Sequence, residues 1–448
     1  MGHRSSASTL WQSLLAAEKD HASLRMLADE QKAQRLMFGT REICTVAEPL
    51  FITATEERQV LAGTKSLMSA WRKLDGVLRR ERTLRALLAL SAEEERILAC
   101  DQQPFAADVV GRMDGFLADG AFRVVEYNAE SPGGIGYGDA LARIFEGLPV
   151  MQQFRAQRPC RGFHGLERTL RALLQAHTQR IGRTPTEPVR IAITDRTDVP
   201  TVREFELCAA AFTALGAPSE VVDVQALRFE NGVLHAGNFR PDIVYKRVLV
   251  QDLLGMGGAD HPLARAVAAG AVTCASGFGV HIMFRKELFA LLAHPLCAEL
   301  LDVEEQRAVE RHVPWSAFVM ESAKAPDGSA LLPWIRRERE QLVLKPGGSY
   351  GGSGVVLGWL VDDAAWETAI REALSTPSLV QRRVKLPLAH FALLDQPGVT
   401  KPFRADLDPY VWNGCEVEGF GARLASGDLL NVTAGGGSAV PVFTLEDE

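Results

Sequence analysis

A chain of 448 residues, 47% of them hydrophobic and 23% charged, is long enough for two or three domains with a substantial core. Its net charge of −7 argues against a general nucleic-acid binder, while leaving room for a local basic pocket. No apolar run reaches transmembrane length and the first residues lack a signal-peptide core, so a cytoplasmic protein without membrane contact is expected. Seven scattered cysteines, none in a C-x-x-C pair, read as reduced thiols rather than a disulfide frame or zinc site.

In chain order, residues 8 to about 95 read as helical. Leu10, Leu14 and Leu15 share one helical face, and Leu84, Leu87, Leu88 and Leu90 share another, which suits a helical wall or lid. Next come two strand-like runs, Gly111-Arg112-Met113-Asp114 and Val124-Val125-Glu126-Tyr127-Asn128, with a turn signal at residues 117–121. Residues i and i+2 of a strand share a face. A three-residue loop over 119–121 sets Asp114 opposite Glu126 and Arg112 opposite Asn128. Facing carboxylates repel, and a cation between them removes the conflict. Oxygen donors from Asp114, Glu126 and Asn128 suit Mg²⁺ carrying phosphates. The alternative is a solvated hairpin face that happens to be charged. A glycine-rich loop over residues 129–139 then feeds a helix from Ala140 to Phe145 and suggests close backbone approach to something.

A polar helix is expected over residues 165–180, followed by a break at residues 182–188. Strands are expected over 189–195, 219–223 and 241–248, with a helix over 202–215, a rhythm that predicts a small parallel α/β sheet. No G-x-G-x-x-G follows the first strand, so this is not a dinucleotide fingerprint. Ligands of such sheets sit beyond the carboxyl ends of the strands, which places Asp195, Arg196, Thr201, Arg203, Tyr245, Lys246 and Arg247 near a pocket; the alternative for each is an ordinary surface polar residue.

Further on, Lys286 opens a helix, where an anion would relieve its unfavourable position; a plain surface Lys is the alternative. Lys345-Pro346-Gly347-Gly348-Ser349-Tyr350-Gly351-Gly352-Ser353-Gly354 reads as strand, glycine loop and strand. It is not a Walker A loop, because Lys345 precedes the glycines and no helix follows. It suits a hairpin folding over phosphates and offering backbone N–H groups, with Lys345 as a point charge. The alternative is a glycine-rich hairpin with a snorkelling lysine. A strand edge at Gln381 would offer backbone groups to a base.

Taken in this order, the R-x-D and E-x-N pairs, the helix Arg285-Lys286-Glu287-Leu288 and the segment Leu344-Lys345-Pro346-Gly347 resemble the circularly permuted ATP-grasp ligases, especially the synthetase domain of glutathionylspermidine synthase and its relatives. The resemblance runs from about Asp108 to the C-terminus, with Arg285 where that synthase has Asn. It implies an α/β fold divided into a helical region (1–100), a metal-binding half of the ATP-grasp core (101–185), an inserted Rossmann-like domain (186–280) and a lysine and glycine-lid half (281–448). It also implies ATP held by Lys286, Lys345 and Gly347 to Gly352, Mg²⁺ on Asp114, Glu126 and Asn128, and Arg112 as the catalytic cation. The implied reaction joins a small-molecule or peptide carboxylate to an amine through an acylphosphate. Ser131, Tyr137, Arg203, Arg247, Arg404, Arg423 and Asn431 are candidate substrate contacts, the arginines because they hold carboxylates bidentately. A phosphotransferase and a non-catalytic nucleotide-binding subunit are the alternatives.

Overall fold

The strands expected to carry the charged pairs belong to a four-stranded antiparallel sheet ordered Glu416–Gly421, Asp408–Trp412, Val110–Ala118, Ala121–Asn128. This is seen in a computed structural model that describes residues 2–38, 40–118, 120–348, 352–428, 430 and 437–446. A second antiparallel sheet, ordered Ser316–Phe318, Ser378–Arg382, Leu342–Pro346, Val356–Leu357, carries Lys345 and Gln381. Its own small core includes Trp334, Ile335, Leu344, Trp366, Ile370 and Val380.

The three predicted strands form a parallel sheet with a fourth that was not expected, Thr273–Ala275, in the order Thr273–Ala275, Ile243–Lys246, Ile191–Asp195, Ser219–Asp223. The run Ile191-Ala192-Ile193 is apolar on both faces and buried on both, as central parallel strands are. Helix Val202–Ala214 buries Phe205, Cys208 and Phe212 at helical spacing, and helix Gly165–Ile181 buries Leu166, Leu170 and Leu173. A hairpin of Leu227–Glu230 and Val233–Ala236 interrupts the βα rhythm, turning at Asn231-Gly232 with φ of 52° and 77°.

The first hundred residues depart from the all-helical expectation. Helices Gly2–Ala17, Ala22–Ala33 and Ala54–Leu78 are present, but so are strands Met37–Phe38, Arg41–Glu42 and Leu50–Thr53. Leu50-Phe51-Ile52 pairs in parallel with Val442–Leu445 near the C-terminus, a tertiary partner that no local pattern reveals. Trp11 is fully buried beside Phe51, Phe145 and Phe154, and its Nε1 donates to Ala47 O at 2.8 Å. The region is therefore built into the core rather than laid over it. Leu84 lies in the five-residue helix Arg82–Ala86, whereas Leu87 and Leu90 lie beyond it. No disulfide joins the seven cysteines, and no helix among the described residues is long and apolar enough to cross a membrane.

Candidate active site

The hairpin pairs Arg112 with Asn128 and Asp114 with Glu126, the register expected from the alternation. The route differs. Ala118 pairs with Ala121, one residue tighter than predicted, and a bulge between Asp114 and Gly115 restores the register by leaving Val125 without an opposite residue. The carbonyl of Val125 accepts from Lys345 Nζ at 2.9 Å. The bulge thus ties the two antiparallel sheets together at one lysine.

Between those sheets lies a cavity of about 480 Å³, with Glu126, Asn128, Lys286, Lys345 and Gln381 among its lining residues. Lys286 Nζ reaches Glu126 Oε1 at 2.9 Å. Lys345 Nζ also donates to Gln381 Oε1 at 2.7 Å, and Gln381 Nε2 donates to Ser316 Oγ at 3.1 Å. Burial pulls the Lys345 pKa down to about 8, with Glu126 opposing and Lys286 adding to the fall. Gln381 corrects the sequence reading. Its strand is interior, paired through Gln381 with Ser316 on one side and Val343 on the other, so its backbone is not an open edge. Its side chain instead holds a lysine in place. The cavity's outer wall includes Trp359, with the Arg383 guanidinium 3.8 Å from its ring centroid.

At the inner wall, Arg112 and Arg423 meet three buried carboxylates. Arg112 Nε donates to Asp114 Oδ1 at 2.7 Å, and Nη2 donates to Oδ2 at 3.2 Å. Arg423 donates to Asp114 Oδ2 at 2.6 Å and to Asp406 Oδ2 at 2.7 Å, and lies 3.3 Å from Asp408. Burial acts to raise the Asp114 pKa, but the two guanidiniums outweigh it and hold the group at about 2. Asp408, pressed by burial and by Asp114 and Asp406, is pushed well above the usual carboxylate range. Asp114 Oδ1 accepts from Arg112, and Oδ2 accepts from both Arg112 and Arg423. Among the described residues, no three His, Cys, Asp or Glu side chains are arranged to hold a metal.

Arg112 and Arg423 also line a second cavity, of about 240 Å³, on their other side. Its floor is the glycine loop. The helix begins at Ile135, earlier than expected, so Gly136 and Gly138 are helical. A Cβ at Gly136 would stand 3.0 Å from Glu204 Cγ, and this close helix packing is what the glycine permits. The loop is pinned from several sides. Glu130 is buried against Lys246 Nζ at 2.8 Å and Val250 N at 2.7 Å. Arg247 Nη2 donates to Pro132 O at 3.0 Å, Arg112 Nη1 donates to Gly133 O, and Glu204 Oε1 accepts from Gly134 N and Gly136 N. Ser131 sits at φ 51° and donates to Lys246 O.

No family model matches this chain. No curated protein matches it in sequence. Solved structures do. A glutathione synthetase-like effector from Globodera pallida, in apo form, aligns over 96% of this chain and 98% of its own at 12% identity, with a TM-score of 0.62. This chain shares the fold of that effector. A putative gamma-glutamylcysteine synthetase from Methylobacillus flagellatus covers 85% and 88% at 13% identity, and a RimK domain ATP-grasp protein from Sphaerobacter thermophilus covers 57% and 90% at 17%. Their TM-scores of 0.42 and 0.28 add nothing to the fold argument.

Within this fold the remaining predicted residues sort plainly. Arg404 lines the larger cavity and pairs with Asp428 at 2.8 Å; Tyr137 lines the smaller one. Arg203 lines neither cavity and is tied to Gln34 O and Glu206. Arg247 is buried behind the loop, stacked on Phe205 and Tyr245, and supports the site without lining it. Gly347 packs on Glu287, which a Cβ there would strike, Gly348 lies beside Arg285, and Gly352 lines the larger cavity. Ser349, Tyr350, Gly351 and Asn431 lie outside the described residues. Sequence reasoning passed over Asp406, Asp408 and Glu204. The first two follow Arg404 at alternating positions, the same signal that marked Arg112 and Asp114. Glu204 sits in the first turn of a helix and carries no motif.

Proposed function

We propose that this chain is an ATP-dependent carboxylate–amine ligase. The observation that supports it best is the convergence of Lys286 and Lys345 on the Val125–Glu126 bulge, in a cavity whose inner-wall arginines, Arg112 and Arg423, also line a second cavity. That layout gives ATP and the acid separate chambers with a cationic partition between them. The two lysines bind the phosphates, and phosphate charge offsets the cost of keeping Lys345 protonated in a buried site. Gly352, which lines the same cavity, lets the backbone come close to the nucleotide.

Glu126 is a carboxylate of the larger cavity with its side chain 25% exposed, and Asn128 lines the same cavity with a carbonyl oxygen able to ligate a cation and a buried amide nitrogen, without a partner, able to donate to a phosphate oxygen. These two residues would hold Mg²⁺, which when bound supplies positive charge to the phosphates. Asp114, which accepts from both guanidiniums, orients Arg112 and Arg423.

Arg112 draws the substrate carboxylate to the partition. One carboxylate oxygen forms a bond to the γ-phosphorus as the β–γ bridging bond breaks, and ADP leaves with that electron pair. The amine nitrogen then attacks the acyl carbon. Phosphate departs with the C–O electron pair and takes up the amine proton. Arg112 and Arg423 stabilise the negative charge that develops on the transferred group and on the tetrahedral intermediate. By this reading the order of the parts, with the Glu126 hairpin ahead of both lysines, is that of a circularly permuted ATP-grasp chain.

The test is a screen of amino acids, small peptides and polyamines for phosphate release from ATP. Release that requires an acid and an amine together, and falls at least 100-fold in Glu126→Ala, is expected. A stable phosphorylated product from a non-carboxylate acceptor would overturn the ligase reading.

A further inference from the structure

The smaller cavity has a composition that the ligase reading does not by itself require. Its walls are apolar and aromatic, with Ile43, Ile135, Phe163, Tyr410, Phe420 and Val442 among them. Phe163 and Tyr410 stack with centroids 6.1 Å apart. Two carboxylates from outside the charge cluster line this surface: Asp139, whose oxygens accept from Arg143 at 2.7 Å and Leu166 N at 3.1 Å, and Glu204, which is 2% exposed. Its Oε1 accepts two backbone amides, from Gly134 at 2.8 Å and Gly136 at 3.0 Å, and these fix the group. Its Oε2 has no hydrogen-bond partner, and the nearest cation, Arg247 Nη2, stands 3.8 Å away. Oε2 is itself buried beside Gly133, where a Cβ would stand 3.6 Å from it. A buried carboxylate oxygen without a donor is costly, and a ligand that donates to it recovers that cost.

The opposite charge is held at the adjoining residue of the same loop. Arg112 Nη1 donates to Gly133 O, and Glu204 receives Gly134 N. A guanidinium has five N–H bonds, of which Asp114 and Gly133 take three. One stretch of backbone thus holds a cation able to bind a carboxylate and an anion lacking a donor, beside an apolar wall.

We propose that this cavity binds a zwitterionic α-amino acid with an apolar side chain, its ammonium on Glu204 Oε2 and its carboxylate on Arg112. An amine held as ammonium is not the attacking nucleophile. The amino acid is therefore the acid that is activated, and the amine it joins enters separately. The proposal rests on the ligase reading for the fate of the carboxylate, but occupancy of the cavity is measurable without ATP.

Calorimetry of the full chain without nucleotide, titrated with leucine, phenylalanine, aspartate, and the N-acetyl forms of leucine and phenylalanine, separates the outcomes. Leucine or phenylalanine should bind at least 10-fold tighter than aspartate. N-acetylation should weaken binding roughly 30-fold, the loss of one charge-assisted hydrogen bond. Glu204→Gln should erase the difference between free and acetylated ligands. N-acetyl-leucine binding wild type as tightly as leucine, or preference for aspartate, or no binding of any, overturns the proposal. The wild-type comparison stands even where the variant does not fold. Amino-acid binding without any acid-dependent phosphate release would overturn the ligase reading and leave this site in place.

Discussion

Replacing Lys345 by Met separates what this residue costs the fold from what it gives to nucleotide binding. Lys345 Nζ is held by Val125 O at 2.9 Å and Gln381 Oε1 at 2.7 Å. Burial lowers its pKa from the ordinary 10.5 to about 8. Between those values the unfolded chain holds the proton more tightly than the folded one, so this residue makes stability rise with pH across the window, by about 3 kcal/mol in all. At pH 7 the charge costs the folded state about 3 kcal/mol. Lys345→Met removes that cost and leaves two buried acceptors unpaired, at about 1–3 kcal/mol each. The variant should therefore sit near wild type at pH 7 and fall below it by about 3 kcal/mol more at pH 10. Urea unfolding of both proteins at the two pH values reads this difference, in which every other titrating group cancels. Phosphate near Lys345 restores its charge, so ATP binding at pH 9 should take up a proton, visible by calorimetry in buffers of different ionisation enthalpy. The variant should show no such uptake. Parallel pH profiles for the two proteins would refute the reasoning.

Arg423→Met leaves Asp114, Asp406 and Asp408 with Arg112 as their one remaining guanidinium, and an unpaired buried charge costs about 3–5 kcal/mol. Asp406 and Asp408 already have raised pKa values, first through burial, so the folded state binds protons more readily than the unfolded one and stability falls as pH rises. The deficit of the variant should shrink at pH 5 relative to pH 8 in denaturant unfolding; an equal deficit at both would contradict the charge-cluster account. Gly347→Ala puts a Cβ 1.7 Å from Glu287 Oε1, so the root of the glycine loop must move. ATP affinity should fall at least 10-fold by calorimetry, and Glu287→Ala in the same chain should restore part of it.

Much of this site was legible because strands have period two. Alternation together with an assumed three-residue turn placed Arg112, Asp114, Glu126 and Asn128 on one face in the right pairs, although a tighter turn and a bulge reached that register by another route. The parallel sheet and its helices were equally local. What the chain concealed was tertiary. Leu50–Thr53 finds its partner nearly four hundred residues away. Asp114 reads as a metal ligand, and nothing local shows that Arg423, on a distant strand, donates to it. Glu204 matters because a loop from another segment caps one of its oxygens and leaves the other bare.

The central claim is that a carboxylate is activated on ATP at the partition between the two cavities. The direct measurement supplies a substrate acid labelled with oxygen-18 in its carboxylate and follows the label by mass spectrometry after turnover with an amine. Passage through an acylphosphate predicts one labelled oxygen in the released phosphate. Phosphate carrying no label, with both labelled oxygens still in the acid-derived product, would contradict it.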